Sequence, residues 1–225
     1  MISAMMPATI LAPAPKNREE ARRMSAHRPH SRLIGSTLAL ASSLMLSGCL
    51  GLGGKAPKQL ISLVPATSAQ VGPATTGTGA DAIVLMDPES DRSLEMLRVP
   101  VRVNAATIAY LQDVAWVEKP SRQFRSLLAE TLRAKTSRLV VEDGDFDVVG
   151  RTMVTGRLLA MGYDAPTQSV VVRVDIQRQD KGGAITSRRF ESVVPGIQAK
   201  AEPVAAALGQ ASNDVAGQVA SWLTQ

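Results

Sequence analysis

Ser169-Val170-Val171-Val172-Arg173-Val174-Asp175-Ile176-Gln177-Arg178 alternates apolar and polar side chains over most of its length. Val170, Val172, Val174 and Ile176 fall on one face of an extended chain, and Arg173, Asp175 and Gln177 on the other. That period of two belongs to a strand with one buried face and one wet face. Two more extended segments flank it, Thr152 to Met161 and Ala184 to Val194, and Lys181-Gly182-Gly183 marks a hairpin turn before the last of them.

Outward from this centre the period changes. Towards the C-terminus, Val204, Leu208, Ala211, Val215, Val219 and Trp222 recur at a spacing of three to four, which predicts an amphipathic helix over Pro203 to Leu223. Its stripe of Val, Ala and single Leu residues suits packing on a sheet better than insertion into a membrane. Towards the N-terminus, Phe124, Leu127, Leu128 and Leu132 predict a second helix, with Pro120-Ser121 as its start and Ser121 as N-cap. Between that helix and the central strands, Arg138 to Glu142 and Phe146 to Val149 read as short strands about a turn at Asp143-Gly144.

Upstream of the first helix the signals are shorter. Gln59 to Val64 and Ala82 to Met86 read as strands, separated by a loop at Pro65 to Ala80 that is rich in Gly, Thr, Ala and Pro. Leu97 to Val103 is extended, and Pro100 places it at an edge or a bulge. Ala105 to Leu111 reads as a helical turn, followed by an extended piece at Val114 to Val117. The fold class expected is α/β: a single-domain sandwich over residues 59–225, with a mixed sheet of five or more strands covered on one or both faces by two main helices.

The N-terminal quarter has a different character. Leu46-Ser47-Gly48-Cys49 reads as a lipobox, with Leu46, Ser47 and Gly48 as the signal-peptidase recognition residues and Cys49 as the lipidation site. Before it, Arg28 and Arg32 precede the uncharged run Leu33 to Leu46. As a helix that run spans about 21 Å, too short for a hydrocarbon core of about 30 Å. A lipoprotein signal peptide over residues 24–48 fits, and residues 1–23, with their prolines and mixed charges, read as an extension from a start codon placed too far upstream. Leu50 to Lys58 then forms a flexible tether, so 49–58 is the lipidated linker.

Removing residues 1–48 changes what the composition allows. They hold six of the 25 basic and two of the 20 acidic side chains, leaving 19 against 18 and a net charge of +1. The basic balance of the full chain thus sits in the signal, and a nucleic-acid partner is not expected. Both histidines, His27 and His30, leave with it, and the single Cys is committed to lipid. Histidine-based nucleophilic catalysis, Cys/His zinc sites and intramolecular disulfides are therefore excluded from the mature chain. No cofactor and no metal is expected. Glu142-Asp143-Gly144-Asp145-Phe146-Asp147 lacks the glycine position and the twelfth-position carboxylate of a calcium loop, and reads as a turn.

The lipobox, the short first strand and long loop, Val99-Pro100-Val101-Arg102-Val103, Thr107-Ile108-Ala109-Tyr110-Leu111, Trp116 and Phe124 to Glu130 together resemble the ABC-type transport auxiliary lipoproteins. These are the lipoprotein partners of MCE lipid transporters, including the Pqi-type systems. The resemblance covers nearly the whole mature chain and implies an α/β domain; the absence of His and free Cys argues for a binding or scaffolding role without catalysis. It further implies a periplasmic MCE ring protein, its permease and its ATPase as partners, and phospholipid or another hydrophobic molecule as cargo. Two other classes stay open at this point, an outer-membrane assembly or structural lipoprotein and a carboxylate-dependent cell-wall hydrolase. Leu50, rather than Asp, after the acylated Cys points to the periplasmic face of the outer membrane. The partner-binding candidates are Arg98, Arg102, Tyr110 and Trp116. Against this, the arginines are equally the wet face of a strand, and the aromatics equally core residues.

Overall fold

The computed structural model describes residues 56–142 and 151–225. The lipobox, the signal segment, most of the tether, and the expected strand at 146–149 lie outside the described residues. Among the described residues there are nine strands: β1 (Gln59–Ile61), β2 (Ile83–Leu85), β3 (Glu89–Ser90), β4 (Arg98–Arg102), β5 (Ile108–Trp116), β6 (Val140–Glu142), β7 (Thr152–Asp164), β8 (Ser169–Gln179) and β9 (Ile185–Pro195). Two long helices accompany them, α1 (Pro120–Lys135) and α2 (Ala201–Leu223). The expected mixed sheet with two covering helices is the architecture observed.

The sheet is organised around β7. Along one edge β7 pairs antiparallel with β8 over nearly its whole length, and β8 pairs in turn with β9. The other edge is shared in sequence by three short strands, all parallel to it: β2 at Thr152 to Val154, β3 at Arg157 and Leu158, and β4 at Tyr163 and Asp164. β6 extends the sheet beyond β2, while β5 and β1 extend it beyond β4.

The alternation in β8 decides which face is buried. Val170, Val172, Val174 and Ile176 are at most 2% exposed and join one core with Phe124, Leu127, Leu128 and Leu132 of α1 and Leu208, Val215 and Val219 of α2. Both helices lie on this face and pack against each other. The opposite face of β8 and β9 is left open and carries cross-strand ion pairs, Arg189 Nε to Asp175 Oδ1 at 2.6 Å and Arg173 to Glu191. In β7 the buried positions run Val154 and Leu158, then Met161 and Tyr163. The change of parity is a β-bulge, where one residue of β7 is inserted between the partners Leu158 and Ala160.

Two local expectations are corrected. Ala105 to Leu111 is not a helical turn: Asn104 to Thr107 turns the chain, closed by the Val103 amide donating to the Thr107 carbonyl at 2.9 Å, and Ile108 to Trp116 runs on as one strand. Its β-branched and aromatic residues satisfy a strand once β4 lies beside them. Ser121 is not the N-cap of α1; Lys119 takes that position, with Pro120 at the first helical turn, where its missing N–H costs nothing. The two-residue strand β3 had no signal of its own. The loop from Pro65 to Ala80 is irregular until a single 3-10 turn at Gly79–Asp81, as its composition implied.

Side-chain amides fasten the start of the loop after β1. Gln123 on α1 accepts from the Leu63 amide at 2.9 Å and donates to the Glu118 carbonyl at 2.9 Å. Asn213 on α2 donates to the Val64 carbonyl at 2.9 Å and accepts from the Ala66 amide at 2.7 Å. Each is a polar residue on a helix that replaces the sheet partner this backbone lacks.

Candidate functional site

Pro100 shapes the region that the sequence marked for partner binding. It has no N–H to give a ladder, and the register of β4 against β5 breaks beside it: Arg98 lies opposite Ala115, but Pro100 opposite Tyr110. The surplus residues fall on β5 near Asp113, which adopts φ 61° and is anchored by Lys58 Nζ at 3.0 Å from its carboxylate. β5 is thereby divided into one half that pairs with β1 and another that pairs with β4, itself the ladder neighbour of β7.

That second half forms the wall of a cleft of about 370 Å³ on the open face of the sheet. Pro100, Ala105 and Ile108 stand on one side, and Leu159, Ala160 and Gly162 of the β7 bulge lie along the floor. Ile108 is 53% exposed, so a large apolar side chain faces solvent here. Gly162 is required by packing, because a Cβ at that position would collide with the Pro100 carbonyl. Two arginines border the cleft. Arg102 pairs with Asp164, whose other oxygen accepts from the Thr167 amide at 3.4 Å, and Arg173 pairs with Glu191.

The four partner-binding candidates separate into a group of three and a single residue. Arg98 lies over the Tyr110 ring, 4.5 Å from its centroid, on the half-exposed side of the β4–β5 hairpin, and Arg102 follows on the same hairpin at the cleft. Trp116 lies apart from them, 1% exposed in the core, with its Nε1 lacking a hydrogen-bond partner. The core alternative holds for Trp116, which has no surface to offer a partner. The other residues of the cleft were missed because a helical turn at 105–111 hides the pairing of Ile108 with Arg102. The one available sign was the break in alternation between Leu158 and Met161, which marks the bulge.

Among the described residues, three surface carboxylates depart from their ordinary titration. Arg189 holds Asp175 below the usual range by direct hydrogen bonding, and Lys119 and Lys181 do the same for Glu95 and Asp81. Lowered carboxylates with cationic partners favour ionised side chains, the opposite of what a general acid needs. Among the described residues no group of three or more His, Cys, Asp or Glu side chains converges as a metal site, and no helix is long and apolar enough to cross a membrane.

The sequence matches the family model of the ABC-type transport auxiliary lipoprotein component over residues 62–220. The chain belongs to this family. The matched span takes in the sheet from the end of β1 onward and both helices of this auxiliary lipoprotein, including the whole cleft. The family places it with the lipoproteins of transport systems in the cell envelope. No protein of curated function matches the sequence. Solved structures share the fold: a protein from Xanthomonas campestris is 13% identical with a TM-score of 0.61, covering 73% of this chain and 93% of its own. An uncharacterised protein, 11% identical, reaches a TM-score of 0.60 over 74% of this chain and 99% of its own. At such identities the likeness concerns the fold alone.

Proposed function

We propose that this auxiliary lipoprotein is a non-catalytic, lipid-anchored component of an MCE-type ABC transporter that moves phospholipid or another hydrophobic molecule between the inner and outer membranes. Membership of the transport auxiliary family, behind a lipobox ending at Cys49, carries the reading. Cys49 bears the acyl chains, Leu46 to Gly48 guide cleavage, and Leu50 sends the protein to the periplasmic face of the outer membrane. Two or three acyl chains hold it there, since each buried CH₂ contributes about 0.8 kcal/mol. The partners are the periplasmic MCE ring protein with its permease and ATPase.

The tether limits where the contact is made. Eight residues from Leu50 to Pro57, ahead of Lys58 held on β5, reach at most about 29 Å when extended, at roughly 3.3–3.6 Å per residue. The folded domain therefore stays near its membrane, and the ring protein spans most of the gap. The contact falls on the β4–β5 hairpin, where Arg98, Tyr110 and Arg102 gather an aromatic and two guanidinium groups beside an exposed edge.

Photoreactive residues placed singly at exposed positions between Arg98 and Val117 test this reading in the intact envelope. Capture of the MCE protein from the hairpin is the expected result. Silence there with capture from the outer face of α2 moves the interface to the helix, and silence at both removes the partner. In parallel, a fatty-acid analogue fed to cells should label the wild-type protein and leave Cys49→Ser unlabelled; label persisting in the variant would refute anchoring at Cys49.

A further inference from the structure

We propose that the cleft between the β4–β5 hairpin and the β7 bulge binds one acyl chain of an anionic amphiphile, whose headgroup is held by Arg102 and Arg173. The proposal deepens the transport role given above and rests on it only for the source of the ligand.

The division of chemistry within the cleft carries the argument. Pro100 and Ile108 make an apolar wall, and Ala160 and Gly162 keep the floor low where larger side chains would fill it. At about 370 Å³ the space lies at the small end of ligand sites, which run from about 300 to 1,000 Å³. It suits a single chain and not a whole diacyl lipid. A free inorganic anion would leave the Ile108 wall unused, and a plain hydrocarbon would leave the arginines unused.

The arginines retain binding capacity. A guanidinium carries five N–H donors in a fixed fork. Arg102 uses Nη2 on Asp164, and Arg173 uses Nε on Glu191. Their side chains are 49% and 42% exposed, so their other donors are open to a phosphate or carboxylate. The two carboxylates balance the arginines when the cleft is empty, which favours an amphiphile over a bare phosphate: the headgroup contributes orientation and the chain contributes burial.

Phosphatidylglycerol with a diazirine in its acyl chain tests the site on the mature lipoprotein in phosphatidylcholine nanodiscs. After irradiation, peptide mapping should place the label at Ile108 to Tyr110 and Leu159 to Met161. Ile108→Asp and Ala160→Phe should each lower that label about tenfold, one by placing a charge against the chain and the other by filling the floor. Arg173→Gln should reduce labelling by phosphatidylglycerol to the level given by a diazirine phosphatidylcholine. Excess inorganic phosphate should leave the label in place; its removal by phosphate would show an anion site and overturn the acyl assignment. Label spread over other peptides, or unchanged in both cleft variants, would overturn the proposal. Recovery of MCE-transporter subunits with Ala160→Phe, a cleft residue on β7 outside the hairpin assigned to the partner, separates the two readings. Subunits recovered with an unlabelled wild-type cleft remove the site alone, and a labelled cleft in a protein that recovers none removes the transport role alone.

Discussion

At Gly162 a Cβ would meet the carbonyl and ring of Pro100, so β4 approaches β7 only because this residue has no side chain. The same close approach lowers the floor of the cleft. Gly162→Ala should cost about 1–3 kcal/mol, the usual range for forcing extra volume into a packed site, measured as a shift in the urea midpoint. An unchanged midpoint would mean that β4 moves aside at no cost. Little at this scale was legible in the sequence. Pro100 announced an edge or a bulge because its ring removes a donor; the bulge is what is found, and the edge is not, since β5 and β7 flank β4. Trp116 gave no comparable sign: a lone aromatic in an alternating segment faces the core or solvent according to register, and register depends on partners far along the chain.

Among the elements, β8 was readable because four apolar residues alternate with charged ones, and one buried face suffices to impose that pattern. The helices were readable for the corresponding reason at a period of 3.6, since both pack one stripe on the sheet. β5 was not, because its three surplus residues around Asp113 break the period that would have identified it. β3 was not either, since two residues paired to β7 leave no pattern. The wet face of β8 and β9 offers a test at this scale. Arg189 depresses the pKa of Asp175, so the pair stabilises the fold above the unfolded carboxylate value of about 3.9 and is lost as pH falls through the lower folded value. Asp175→Asn should therefore be less stable than wild type at neutral pH, and the two unfolding curves should converge in acid. A difference independent of pH would assign the effect to packing in the hairpin.

Over the described residues the fold is a sheet with two helices on one face; the other face is open along β8 and β9 and carries a small second core of Ala82, Val84 and Val141 at β2 and β6. The helix-covered face supplies most of the stability that a chain without disulfides needs, and the open stretch beside β7 and β8 carries the proposed cleft. The fold class was legible because both periods point to it. The cleft was not, because its residues come from β4, β5, β7 and β8 and meet only when the sheet assembles. The proposed role of this lipoprotein is as a component of an MCE-type ABC transporter. The most direct measurement is affinity purification of the natively lipidated protein from its own envelope in mild detergent, with every co-purifying protein identified. Recovery of an MCE protein with its permease and ATPase is the predicted result. Recovery of β-barrel assembly or cell-wall proteins in their place, with no transporter subunit, would contradict it.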